Sequence, residues 1–192
     1  MRVINNQIYF KLLFFGTALA GKSTSLKWIY DNVIPSEMKT TGSMRSVNTS
    51  FGQTMLFDFV PIKVSKNINF RCFTATGQDY YASTRRLLFQ DVDGIFFVID
   101  SQKEELEHNK EFVEEFLKHM DHFNLNQEKV TTVVLCNKQD LPNIHDHNFL
   151  AKDLKLEQYS IFQTSALLGT NMKAAFTFMI EACLNKLKKN NI

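Results

Sequence analysis

The string Gly16-Thr17-Ala18-Leu19-Ala20-Gly21-Lys22-Ser23 constrains this chain more than any other feature. It has the form GxxxxGK[ST], follows the apolar run Ile8 to Phe15 and precedes the helical stripe Leu26, Ile29, Tyr30 and Val33. A strand that turns through two glycines into a helix aims successive main-chain amides at one oxyanion, with the positive end of the helix behind them. Gly16 and Gly21 supply the permissive backbone. Lys22 then serves as a point charge for the β and γ phosphates of a nucleotide, and the Ser23 hydroxyl as a ligand for Mg²⁺. The competing reading, a solvated lysine beside a helix cap, leaves the flanking strand and helix unexplained.

Further apolar, β-branched and aromatic runs fall at Met55 to Ile62, Ile68 to Phe73, Ile95 to Ile99, Val130 to Cys136 and Ser160 to Thr164. Ile95-Phe96-Phe97-Val98-Ile99 and Val133-Val134-Leu135-Cys136 are continuously apolar, as strands covered by helices on both faces must be. Helical stripes separate them: Leu106, Phe112, Val113, Phe116, Leu117 and Met120, with Asp100 or Ser101 as the cap, and Ala174, Ala175, Phe178, Cys183 and Leu187 at the C-terminal end. The alternation predicts an α/β fold: a three-layer P-loop domain with a mostly parallel central sheet, one domain over residues 1–192.

Composition closes off other classes. With 44% apolar and 22% charged residues the chain has enough to bury for a core, so a disordered reading fails. A formal charge of +2 is too balanced for a general nucleic-acid binder. Cys72, Cys136 and Cys183 fit neither a disulfide framework nor a zinc spacing, which points to a reducing cytoplasm. His108, His119, His122, His145 and His147 lack a metal-ligand pattern and read as solvated. No apolar run spans a bilayer, and neither Arg2 nor the Lys-Asn-Asn-Ile end carries a usual lipidation signal. We therefore expect no direct membrane insertion and no nucleic-acid partner.

Asn137-Lys138-Gln139-Asp140 is an NKxD string at the carboxyl end of a strand, where α/β sheets bind ligands. A carboxylate at Asp140 accepts two hydrogen bonds from the N1–H and exocyclic amine of guanine, a pair adenine does not present. Thr164-Ser165-Ala166 resembles the last base-binding motif of Ras-like GTPases, and Thr74-Ala75-Thr76-Gly77-Gln78 stands where those proteins carry DxxGQ. Gly77 is suited to approach a γ-phosphate and Gln78 to orient a water for in-line attack. A P-loop kinase acting on a small acceptor leaves both strings unexplained.

Taken with Lys27-Trp28-Ile29-Tyr30, Thr54 to Pro61 and Val92-Asp93-Gly94, these motifs resemble the MglA family of bacterial Ras-like GTPases, which set cell polarity and support gliding motility. The resemblance extends over nearly the whole chain and includes TxxGQ in place of DxxGQ, so Thr74 reads as a family trait. It implies nucleotide contacts from Gly16, Leu19, Ala20, Gly21, Lys22, Ser23, Thr24, Gly77, Asn137, Lys138, Asp140, Ser165, Ala166 and Leu167. It also implies Mg²⁺ ligation by Ser23 and Thr54, and catalytic roles for Gln78, Thr54 and Lys22. GTP/GDP and Mg²⁺ are the implied cofactors. An MglB-like roadblock-domain activator and motility or polarity effectors are the implied partners, and the place is the cytoplasm, with recruitment to a pole by partners.

Two departures argue for slow unaided hydrolysis. Many MglA proteins carry an arginine before the switch threonine, where Gln53 stands here with Arg45 the nearest alternative upstream; Ala18 replaces a common glycine. A guanidinium on the transferring phosphoryl group contributes about 10³–10⁵ in rate. Asp58, on the same strand face as Thr54, is one substitute for the missing DxxG acid. Phe51, Tyr80 and Tyr81 flank the switches and offer a docking surface. The alternative reading is a GTP-binding module with negligible hydrolysis that acts as a scaffold.

Overall fold

The computed structural model describes residues 1–39, 45–46, 58–75 and 82–189, with the side chains at 45, 46, 58 and 82–85 outside that description. Thirteen regular elements follow in order among the described residues: β1 (Arg2–Ile4), β2 (Gln7–Gly16), α1 (Lys22–Asn32), β3 (Arg45–Ser46), β4 (Asp58–Lys63), β5 (Ile68–Thr74), α2 (Ala82–Phe89), β6 (Gly94–Asp100), α3 (Leu106–His122), β7 (Thr131–Asn137), α4 (His147–Asp153), β8 (Ser160–Gln163) and α5 (Met172–Lys189). Thr54, Gly77 and Gln78, together with Gln53, Phe51, Tyr80 and Tyr81, lie outside the described residues.

The sheet runs β3-β4-β5-β2-β6-β7-β8, with β1 added beside the start of β2. Pairs from β5 through β8 are parallel, and β1–β2, β3–β4 and β4–β5 are antiparallel. The β1–β2 hairpin turns on Asn5 and Asn6, both at positive φ, the geometry that matches the twist of the strands it joins. β2 is therefore central, and its carboxyl end opens between β5 and β6, where the phosphate-loop string begins.

Every residue of β6 and β7 is buried, which is why neither strand alternates in sequence. Phe14 and Phe96 stack at 4.6 Å and Phe10 and Phe70 at 4.8 Å on the face covered by α1 and α5. Phe15 and the Phe97–Phe116 stack at 4.9 Å lie on the face covered by α2, α3 and α4. This is the three-layer arrangement expected. Burying one such ring stabilises by about 1.5–3 kcal/mol. A helix cap supplies about 1 kcal/mol, and α1 and α3 have no side-chain cap at all, so packing holds these helices in place.

Four sequence expectations need correction, the first being Leu117 of α3, read as part of the inward stripe but 48% exposed. Neither Asp100 nor Ser101 caps α3: a 3-10 turn at Lys103–Glu105 comes first and Glu105 is the N-cap, because the Asp100 carboxylate is engaged elsewhere. On α5 the buried stripe is Met172, Ala175, Phe176, Met179 and Cys183, while Ala174 and Phe178 are exposed. Several apolar residues in succession there defined two possible helical faces. His119 is buried, with its ring 4.6 Å from that of Phe89 and Nε2 3.1 Å from Glu115 Oε1. It falls three residues after Phe116 on the inward stripe of α3. At the start of β7, the buried Thr131 and Thr132 hydroxyls have no hydrogen-bond partner among the described residues.

Candidate functional site

The phosphate-loop string occupies the turn from β2 into α1. Gly16 has φ +147° and pairs with Val98 in the β2–β6 ladder, and a Cβ there would stand 2.1 Å from the Val98 carbonyl oxygen. Leu19 and Gly21 also take positive φ, at 61° and 98°. The curl they make leaves Ala20 buried beneath the loop and Ala18 and Leu19 exposed at its mouth. Gly21 is the N-cap of α1, with no side-chain cap and no acid in the first turn, so the positive end of the helix faces the loop. Lys22 is buried, and its Nζ donates to the carbonyls of Gly16 at 3.0 Å and Thr17 at 2.5 Å. The side chains of Ser23 and Thr24 are exposed beside it.

The second half of the site comes from the ends of β6, β7 and β8. Asn137 closes β7 at 2% exposure with both amide atoms used. Its Nδ2 donates to the Ala20 carbonyl at 2.8 Å and its Oδ1 accepts from the Ala166 N–H at 2.8 Å. Thr164 Oγ1 also approaches Oδ1, at 3.5 Å. One side chain thus joins the phosphate loop, the NKxD strand and the loop after β8. It also explains Gly21, where a Cβ would stand 2.3 Å from Asn137 Nδ2.

Lys138 has φ 66°, which turns its side chain back across the end of β6. Its Nζ pairs with Asp100 Oδ2 at 2.5 Å and donates to Gln102 Oε1 at 2.8 Å. Asp100 is 1% exposed, so this pair holds a lysine stem flat along one wall of the site. Asn109 of α3 donates to the Asp100 carbonyl at 2.7 Å and anchors the same strand end. Ser165 is buried behind the wall, its Oγ accepting from the Leu168 N–H at 3.1 Å.

A cleft of about 280 Å³ opens between these parts, lined by Leu19, Gly21, Thr24, Gln102, Asn137, Lys138, Asp140, Leu141, Ala166 and Leu167. Apolar walls from Leu19, Ala166 and Leu167 suit the faces of a flat ring, and the exposed Asp140 offers a carboxylate to its edge. Gln102 and Leu141 were not among the residues expected from sequence. Leu141 had a signal, an apolar residue directly after the acid of a polar turn; Gln102 had none, since only the strand ends bring it there. Thr74 is buried at the end of β5 in register with Phe14, two residues before Gly16. Asp58 opens β4, but its side chain, like that of Arg45, lies outside the description. Among the described residues no helix is long and apolar enough to cross a membrane.

The arrangement has the parts of a nucleoside-phosphate site, and known proteins agree in kind. The sequence pattern of the ADP-ribosylation factor family matches residues 1–183. The mutual gliding-motility protein MglA of Myxococcus xanthus is 30% identical over 189 residues, which cover 96% of this chain and 95% of that protein. ADP-ribosylation factor-like protein 6 of Caenorhabditis elegans is 30% identical over 117 residues, 58% of this chain and 60% of its own. The solved structure of the Arl6 small GTPase of Trypanosoma brucei with a bound nucleotide analogue superposes with a TM-score of 0.71 over 93% of this chain and 99% of that one; at 19% identity it shows the fold. The chain belongs to the ADP-ribosylation factor family of Ras-like small GTPases, with MglA among its relatives, a family that binds guanine nucleotides and hydrolyses GTP.

Proposed function

We propose that this protein is a GTP-driven switch of the MglA kind, slow to hydrolyse GTP alone, accelerated by an MglB-like roadblock-domain activator, and acting in cell polarity or gliding motility. The observation that carries the reading is the Asn137 strut, which sets a phosphate loop and an NKxD–Ser165-Ala166 base wall at the two ends of one cleft.

In this reading the amides of residues 19–24 and the Lys22 ammonium hold the phosphates. Lys22 exchanges its two loop carbonyls for phosphate oxygens, a stronger charge-assisted contact. Leu19, Lys138, Ala166 and Leu167 enclose the ring, and Asp140 accepts from N1–H and the exocyclic amine of guanine. Facing adenine, the Asp140 carboxylate would find neither donor and lose both bonds, a loss on the order of 1–3 kcal/mol each where the bound ring excludes water. We assign Mg²⁺ ligation to Ser23, whose side chain is exposed one residue after Lys22, and to Thr54, since hydroxyl oxygens suit a hard cation. When bound there, Mg²⁺ neutralises charge between the β and γ phosphates.

For hydrolysis we assign Gln78 to orienting a water whose oxygen bonds to the γ-phosphorus as the bond to the β–γ bridging oxygen breaks, leaving GDP and phosphate. Gly77 and Thr54 sense the γ-phosphate, and its loss releases both switch segments. Ala18 stands exposed at the loop mouth, where its methyl crowds an approaching Gln78, and Gln53 supplies no guanidinium; both favour slow unaided turnover. The same two residues favour the second reading, a GTP-binding scaffold that does not turn over. Nucleotide retained through purification is expected to be GDP or GTP, and phosphate release is expected to rise severalfold with an MglB-like protein. Preference for ATP overturns the guanine assignment; no release under either condition leaves the scaffold.

A further inference from the structure

The sequence contains one tryptophan, Trp28, within α1. Its indole is half-buried and packs against the inner cluster shared by α1 and α5. Gly169 lies against it so closely that a Cβ at that position would stand 2.0 Å from Cζ2 and 2.6 Å from Nε1. Gly169 has φ +79°, and its N–H donates to the Ser165 carbonyl at 2.7 Å, which closes the loop that carries Ala166 and Leu167. The front of that loop lines the base half of the cleft and its back rests on the indole. The N-terminal end of the same helix is the phosphate loop.

We propose that Trp28 is a positioning residue for guanine recognition: through Gly169 it fixes the Ser165-Ala166-Leu167 loop relative to the phosphate loop at the head of α1. The inference rests on reading the cleft as a guanine site. Asn137 holds the loop from inside through the Ala166 N–H, and Trp28 holds it from outside. Leu167 and Leu168 are 74% and 67% exposed, so beyond the turn's own hydrogen bonds, from Leu168 N–H to Ser165 Oγ and between Ser165 and Thr170, the packing that backs this loop is the contact of Gly169 with the indole. A wall set in advance binds without an ordering cost. Without the indole, each loop residue whose backbone must be ordered on binding lowers affinity by about 5- to 30-fold.

The test uses the full chain stripped of nucleotide, with Mg²⁺ present, titrated calorimetrically with GDP, with inosine diphosphate, and with pyrophosphate, which meets the phosphate loop alone. Trp28→Ala is expected to weaken GDP at least about fivefold and leave pyrophosphate unchanged. It should also narrow the preference for GDP over inosine diphosphate, which lacks the exocyclic amine. Trp28→Phe should restore most of the loss. Gly169→Ala, which keeps the indole but displaces it, should repeat the selective loss without depending on the first variant folding. In the wild type, the emission of Trp28 should shift with GDP and not with pyrophosphate. Unchanged GDP affinity, equal losses of GDP and pyrophosphate, or the same emission response to both overturns the inference. A wild type that holds GDP no more tightly than pyrophosphate overturns the guanine reading itself.

Discussion

Replacing Asn137 by alanine removes the strut between the two halves of the cleft. The carbonyl of Ala20 and the N–H of Ala166 each lose a 2.8 Å hydrogen bond. Their residues are 0% and 4% exposed, so water does not readily take over. A buried group left without a partner costs about 1–3 kcal/mol, so the pair costs about 2–6 kcal/mol. The lower figure is already a large part of a total stability of about 5–15 kcal/mol. At about 2–4 °C per kcal/mol for a domain of this size, the melting temperature should fall by at least about 4 °C. Urea denaturation of the nucleotide-free protein is the cleaner assay, because a bound ligand would add its own stabilisation. The variant should unfold at lower urea with an unchanged slope. A loss below about 1 kcal/mol would refute the reasoning, since it would mean that the two groups are not left unpaired.

Lys22→Ala should abolish measurable GDP binding by calorimetry while the apo protein still melts cooperatively; retained binding removes the ammonium from the phosphate site. Gln78→Leu should keep nucleotide affinity and lose activator-stimulated phosphate release, and unchanged release takes Gln78 out of the mechanism. Burial pushes the Lys11 ammonium from its ordinary 10.5 down to about 8, against the opposing pull of Asp91. Between about pH 8 and 10.5 the unfolded chain then binds a proton that the folded one has released, so stability contributed by this residue rises with pH there. The stability of the wild type relative to Lys11→Met should rise across that window, as the penalty of the buried ammonium is relieved, and stay constant below it; no such rise contradicts the burial effect. Burial also raises the thiols of Cys136 and Cys183 to about 12, and that of Cys72 higher still. Iodoacetamide at pH 8 should label none of the three in the native protein and all three in urea, with native labelling the contrary result.

The sheet was legible because each of its central strands is apolar enough to announce itself, and the phosphate loop because glycine, lysine and serine recur there at a spacing few other structures use. The NKxD string gave Asp140 and Lys138 their place for the same reason. Other features depend on which strand ends meet. Asn137 is one letter of a motif until the Ala20 carbonyl and Ala166 N–H stand beside it. Asp100 reads as a helix cap until Lys138 turns back through a left-handed backbone to meet it. Gly169 and Trp28 are 141 positions apart by subtraction of their numbers, and no local pattern relates them. The frame of α5 was ambiguous because Ala174, Ala175, Phe176 and Phe178 offer two adjoining apolar faces, and only packing beneath β7 selects one.

The two hydroxyls at Thr131 and Thr132 have a consequence for how far this chain can be altered. Each gave up water without gaining a protein partner among the described residues, so each lowers stability by comparison with a shape-matched hydrocarbon. Exchanging them for valine keeps the β-branched shape that β7 packs and discards the desolvated oxygen. The strand that ends in Asn137 thereby holds a latent reserve, from which a weakened cleft variant can be returned to a workable melting point without touching any residue that lines the cleft.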